Sequence, residues 1–134
     1  MKFLLDRYLP ARQARALNAL LAPEHAFIHI NDKFGSATKD VAWVESLARE
    51  TGWVVLSGDA RAGQSAHECS AWRDSSLAIF FLTRGWGNLP PREQHAKLTL
   101  LLPKIINSAK TASPGCGFTI AVSGRIDAIF SPKS

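Results

Sequence analysis

A chain of 134 residues, 46% hydrophobic and 20% charged, can bury a core of its own, and these proportions exclude general disorder. Its 16 Lys and Arg outnumber 11 Asp and Glu for a formal charge of +5, a bias toward polyanionic partners. Cys69 and Cys116 form no CxxC pair and no Cys/His group at zinc spacing, so free thiols in a reducing compartment are expected.

The opening MKFLL could begin a signal peptide, but Asp6 and Arg7 interrupt it before an apolar segment of roughly 7 to 15 residues can form. No run approaches the roughly 18 apolar residues of a membrane span, and a cytoplasmic location is expected. Lys2 to Asp6 reads as the first strand. Pro10 then opens a helix with Ala14, Leu17, Leu20 and Leu21 as its buried stripe, and Pro23 ends it. Phe27 to Asn31 is the second strand. A helix from Asp40 to Glu50 stops at Gly52, and the strand Trp53 to Ser57 follows. Ser65 and Glu68, at capping-box spacing, open a helix running to about Arg73. After the strand Leu77 to Thr83, the connector GWGNLPP leads into the longest helix, Pro91 to Ala109, which Pro103 should kink or divide. KTASPGCG is a loop, Phe118 to Ser123 the last expected strand, and residues 131–134 an expected mobile tail.

The strand runs are apolar on consecutive positions, as strands covered on both faces are. The expected fold class is therefore α/β, a three-layer α/β/α arrangement around a mainly parallel central sheet, with residues 1–134 as one domain. In such a fold, ligands collect at the carboxyl ends of the strands.

Three aspartates stand at such places. Asp6 ends an otherwise apolar strand, where a carboxylate is costly to bury unless something such as a cation neutralises it; the competing assignment is a cap for the Pro10 helix. Asp59 follows WVVLSG, and its structural alternative is a loop aspartate beside glycine. Asp40 opens a helix and shares the face of Trp43, Val44 and Leu47, whereas Glu45 and Arg49 point outward; capping is its alternative. Oxygen-only ligands at one sheet edge suit Mg²⁺ or Mn²⁺. Asp32 and Glu68 are candidates for a further ligand, against a surface ion pair of Asp32 with Lys33 or Lys39 and the capping box for Glu68. Asp74, Glu93 and Asp127 read as solvated surface. Arg7, Lys39, Arg61 and Arg84 lie near the same edge and are candidate phosphate contacts.

Rival motifs are weaker. GDARAGQS, Gly58 to Ser65, follows the phosphate-loop spacing but has Gln64 where the lysine belongs, and the next strand ends without a metal-binding aspartate, so no nucleotide cofactor is expected. His25, His29, His67 and His95 are scattered, and no serine sits in a GxSxG elbow. Of the tryptophans, only Trp86 lies in a connector where it could stack on a base; packing is the expected role.

Together KFLLDRYLP, INDKFGSATKDVAWVESLARETGWVVLSGDAR, His67–Glu68 and FFLTRGWGNLP, spanning about residues 2 to 110, resemble the PIN-like family of bacterial proteins, grouped with VapC-type ribonuclease toxins. The resemblance implies a PIN fold and Mg²⁺- or Mn²⁺-dependent endonucleolytic cleavage of RNA. It places the family's acidic positions on Asp6, Asp40 and Asp59, and it implies a toxin with an antitoxin protein as partner. In the family's D-x-N-L-P pattern an asparagine stands two residues after the first aspartate, in reach of the metal or the scissile phosphate; this chain has Tyr8. The alternative is a PIN-like binding module with weakened catalysis that acts through a protein partner. A phosphoacceptor domain using Asp59 is a third reading. A homodimer through GWGNLPP and the long helix is a further candidate assembly, and no membrane partner is expected.

Overall fold

A computed structural model describes residues 1–35, 40–50, 52–59 and 72–131, with the backbone alone for residues 40–42. Its elements are β1 (Lys2–Leu5), α1 (Ala11–Leu21), β2 (Ala26–His29), α2 (Ile30–Phe34), α3 (Asp40–Arg49), β3 (Trp53–Ser57), β4 (Ala78–Leu82), a 3₁₀ turn (Arg84–Asn88), α4 (Pro91–Thr111), β5 (Gly117–Ile120) and β6 (Ile126–Phe130). The strands form one six-stranded sheet in the order β2-β1-β3-β4-β5-β6, parallel throughout except for the β5–β6 pair.

Because side chains alternate across a strand, each apolar run feeds two cores. Phe3, Leu5, Val54, Leu56, Phe80 and Leu82 meet Ala14 and Leu17 of α1 and Leu98, Leu102 and Ile105 of α4 on one face. Leu4, Trp53, Val55, Ile79 and Phe81 meet Ile30 of α2, Trp43, Val44 and Leu47 of α3, and Trp72 on the other. The fold is thus an α/β sandwich whose sheet is covered on both sides, which is why its strands could be read as continuous apolar runs.

The chain leaves β1 for β2 on one side, then crosses back over β1 to β3 on the other. Parallel crossovers keep one hand, so reversing direction puts α1 and α3 on opposite faces and opens a crevice beyond the carboxyl ends of β1 and β3. Leu5 is in register with Leu56, so Asp6 and Ser57 are the next residues side by side.

Four details depart from expectation. The second strand does not reach Asn31: it ends at His29, whose ring Nδ1 accepts from Asn31 N at 3.1 Å and starts α2. In α1, Leu20 is 61% exposed, while Gln13 is buried with Ala14 and Leu17; the stripe continues through the partly buried Leu21, and Leu20 lies to one side of it. Pro103 does not divide α4, which runs unbroken from Pro91 to Thr111; Pro103 is exposed, so the carbonyl it leaves unbonded can turn to water. The expected strand Phe118 to Ser123 ends at Ile120, where a turn closed by Gly124 N to Ala121 O (2.8 Å) and Ala121 N to Arg125 O (2.8 Å) leads into the unanticipated β6. The expected capping box at Ser65 and Glu68, most of the Gly58–Ser65 motif, His67, Cys69 and most of the tail lie outside the described residues. Among the described residues, no helix is long and apolar enough to cross a membrane.

Candidate active site at the carboxyl edge of the sheet

The loop from Asp6 to Pro10 is tied down at nearly every residue. Asp6 N donates to Leu56 O (3.1 Å) and Leu9 N to Asp6 O (3.1 Å), while the Leu9 side chain is buried. From the neighbouring strand, His29 Nε2 reaches Leu9 O at 2.7 Å. A carbonyl can only accept, so Nε2 carries the proton and Nδ1 is free to accept from Asn31 N: one neutral tautomer clamps the loop and caps α2 together. His29→Leu leaves both backbone groups without their partner and is expected to cost about 1–3 kcal/mol, measured by urea denaturation.

Asp6 is 7% exposed. It does not cap α1, whose N-terminal boundary residue, Pro10, has no side-chain cap. Instead Oδ1 accepts from Tyr8 N and Gly58 N, each at 3.1 Å, and Oδ2 accepts a short hydrogen bond from Ser57 Oγ. Ser57 Oγ in turn accepts from Asp59 N at 3.2 Å, which fixes the turn carrying Asp59. Gly58 makes this contact feasible: a Cβ there would lie 3.0 Å from Tyr8 Cβ and 3.1 Å from both Tyr8 O and Leu9 Cδ2. Burial raises the Asp6 carboxyl above the usual carboxylate range, the bonds from Ser57, Gly58 and Tyr8 pull it back, and the negative charge of Asp59 adds to the rise.

Asp6 and Asp59 therefore interact electrostatically at the crevice between β1 and β3. Asp40 is the first residue of α3; its side chain and those of Lys39, Arg61 and Glu68 lie outside the described residues. Asp32 lies in the first turn of α2 and is engaged in an ion pair, with Arg15 at 3.4 Å, while Lys33 pairs with Glu50 at 3.0 Å. Among the described residues, no three His, Cys, Asp or Glu side chains are grouped as a metal site. Arg7 and Arg84 are exposed, and Arg84 lines a cleft of about 240 Å³ with Tyr8, Gly58 and Thr83. Trp86 packs as expected: it is 3% exposed and its Nε1 donates to Ile120 O at 2.9 Å.

A match to the PIN like domain family covers residues 1–84, the stretch that builds β1 to β4 and carries Asp6, Asp40 and Asp59. The chain belongs to the PIN-like domain family. No curated protein and no solved structure is significantly similar to it. The PIN-like assignment agrees with the sheet order and with the helices on both faces. Ser57 and His29 were not among the residues singled out from the sequence, yet they hold Asp6 and its loop. The only available signal was a serine as the last residue of the strand that leads into Gly58–Asp59.

Proposed function

We propose that this PIN-like protein is a metal-dependent endoribonuclease, the toxin of a toxin–antitoxin pair. The observation carrying this reading is Asp6: a buried carboxylate, held at three points and within electrostatic reach of a second carboxylate, Asp59, at the switch point of the sheet. A purely structural turn would be served as well by asparagine, without the cost of a buried charge.

The residues fit a hard divalent cation. Their donors are all oxygen, and three hydrogen bonds to Asp6 leave part of its roughly four-site acceptor capacity open. Asp6 and Asp59, with Asp40 from α3, would hold Mg²⁺ or Mn²⁺. When bound, the ion supplies a water of lowered pKa and a clamp on the phosphate oxygens. Ser57, Gly58 N and Tyr8 N orient Asp6. Arg7 and Arg84, with Lys39 and Arg61, attract the RNA backbone to an edge that its own carboxylates would otherwise repel.

Millimolar Mn²⁺ should raise the melting temperature of the wild-type protein, by about 2.7 kcal/mol of linkage when the ion is at a hundred times its dissociation constant. The shift should be largely lost in Asp59→Asn, and RNA cleavage should require Mn²⁺ and stop with EDTA. Cleavage that survives EDTA and Asp59→Asn alike would refute the reading.

One observation favours a second reading, a binding module with weakened catalysis: Tyr8, in the position of the family's asparagine, leaves 55% of its surface exposed beside the Asp6 loop. An exposed aromatic suits a protein contact. Tight binding of an antitoxin, lost in Tyr8→Ala, by a protein that never cleaves RNA would favour it. Self-association through α4, where Leu100 is 77% exposed, belongs to either reading.

A further inference from the structure

The cleft beside the Asp6 loop offers more than the proposed chemistry uses. It measures about 240 Å³ and is walled by Tyr8 and Gly58, which follow β1 and β3, and by Thr83, Arg84, Gly87 and Gln94 from the chain beyond β4. Pockets for drug-sized ligands run to roughly 300–1,000 Å³, so this one suits a single ring rather than a whole nucleotide. Tyr8 is 55% exposed, and among the described residues its ring contacts no other ring or cation and its hydroxyl makes no hydrogen bond. Its backbone is nevertheless fixed: Tyr8 N donates to Asp6 Oδ1 at 3.1 Å, and its Cβ lies where a Cβ on Gly58 would come within 3.0 Å. Trp86, also in this wall, is spent on packing, with 3% exposure and a bond to Ile120 O.

The surroundings of Tyr8 decide between occupants. A protein interface centres on an apolar patch with a polar rim. The other exposed large hydrophobic residues, Leu20, Leu100 and Ile129, lie on α1, α4 and β6 and not in the cleft, and Tyr8 follows the exposed Arg7. The groups beside it are polar and uncommitted. Thr83 precedes the 3₁₀ turn, where a hydroxyl usually caps, yet it makes no cap, and Arg84 makes no ion pair among the described residues. Gln94 gives its amide hydrogens to Trp86 O (2.7 Å) and Leu89 O (3.2 Å), so any further bond it makes is as an acceptor. An open aromatic face beside free donors and acceptors matches a nucleobase, which has a π face and a polar edge, and stacking on aromatic side chains is how single strands are held.

We infer that this cleft is a nucleobase pocket for the nucleotide next to the cut: its base stacks on Tyr8 with its polar edge toward Thr83 and Gln94, while Arg84 holds the phosphate. The assignment rests on the ribonuclease reading above. Because the Tyr8 peptide is bonded to the Asp6 carboxylate, a base stacked there sets the register of the strand against that carboxylate. A threonine hydroxyl both donates and accepts, so the pocket positions a base with little preference for its identity. Where the family's pattern has asparagine, this chain carries a stacking surface.

The test is fluorescence anisotropy with a labelled short single-stranded RNA, and with a stable base-free oligomer of the same length, at low salt in EDTA so that nothing is cut. Wild type should prefer the RNA. Tyr8→Ala should bind the RNA roughly tenfold more weakly, the worth of one base on an aromatic ring, and the base-free oligomer as wild type does. Tyr8→Phe keeps the ring and should bind both as wild type does. Gly87→Leu fills the cleft without touching Tyr8: a Cβ at Gly87 meets nothing within 4 Å and its φ is not positive, so the fold accepts the side chain. It should repeat the loss seen in Tyr8→Ala, again for RNA alone. Arg84→Ala should weaken both oligomers alike and make the log–log salt slope shallower by about 0.7, the share of one phosphate contact on a single strand. Equal losses for the two oligomers in Tyr8→Ala that melting shows to be folded, unchanged RNA affinity in Tyr8→Ala or Gly87→Leu, or a wild type that does not distinguish the oligomers overturns the pocket. If Tyr8→Ala binds normally while wild type cleaves RNA with Mn²⁺, the pocket fails and the nuclease stands. If the preference for bases depends on Tyr8 and Gly87 but no preparation cleaves, the nuclease fails and the pocket stands.

Discussion

Asp6→Asn is expected to reduce metal-dependent RNA cleavage by at least about 10³-fold, as when one member of a catalytic unit is removed, while making the folded protein more stable at neutral pH. Asparagine keeps the shape and can still accept from Tyr8 N and Gly58 N, and its amide can donate to Ser57 Oγ, so the loop retains its anchors. What disappears is a charge in a site 7% exposed. Burial is the largest influence on Asp6 and raises its carboxyl above the ordinary value of 3.8; Asp59 adds to this, against the pull of the three hydrogen bonds.

The folded state thus holds that proton more tightly than the unfolded chain does. Its stabilising contribution is complete below the ordinary value and is lost as pH rises through the raised one. At neutral pH without divalent ions, the wild type therefore carries a cost that the variant lacks, reduced but not cancelled by the hydrogen bonds. Asp6→Asn should accordingly melt at a higher temperature than wild type. The difference should shrink as pH falls below the ordinary value, and Mn²⁺ should close it from the other side by stabilising the wild type alone. Thermal melts at neutral and acid pH, with and without Mn²⁺, read all of this. A variant less stable than wild type at neutral pH would make Asp6 a structural residue that the fold needs charged.

Such a cost, at a position proposed to be functional, is also what made Asp6 stand out in the sequence. A carboxylate at the end of Lys2–Leu5 contradicts its apolar surroundings, and local contradictions of this kind point to function. Asp59 stood out as a candidate by the same placement after Trp53–Ser57. Ser57 did not, because its role depends on the register of two strands: the hydroxyl meets a carboxylate 51 positions away only because Leu5 aligns with Leu56. His29 was hidden for a similar reason, since its partner Leu9 O lies on a different segment. In the fold, β1, β3 and β4 were visible because burial on both faces makes their composition continuous. α2 escaped because its cap is a histidine ring rather than the usual Ser, Thr, Asp or Asn. β6 escaped because it is an edge strand with Phe130 alone buried and no apolar run to announce it.

That same Phe130 gives Gly117→Ala, the addition of a single methyl group, a large expected effect on stability. Gly117 opens β5 opposite Phe130, at a register irregularity between Gly117 and Phe118. The ring lies over the glycine so closely that a Cβ would fall 2.3 Å from Phe130 Cζ, 2.4 Å from Cε2 and 2.7 Å from Cε1. An aromatic ring has no flexible end to swing aside, and Phe130 is 5% exposed within the core on the α3 side of the sheet, so it must leave its site or move the strand. Overpacking combined with partial loss of a buried phenylalanine is expected to cost about 2–4 kcal/mol, read by urea denaturation. Phe130→Ala alone should cost about 3–5 kcal/mol, and in Gly117→Ala/Phe130→Ala the two losses should fall short of their sum by at least about 1 kcal/mol, because the clash is gone once the ring is. Losses that add in full would mean that the ring and the glycine do not meet. β6 lies three strands away from β3, so the folded fraction of Gly117→Ala should retain wild-type Mn²⁺-dependent cleavage, separating damage to the sheet's antiparallel edge from damage at Asp6.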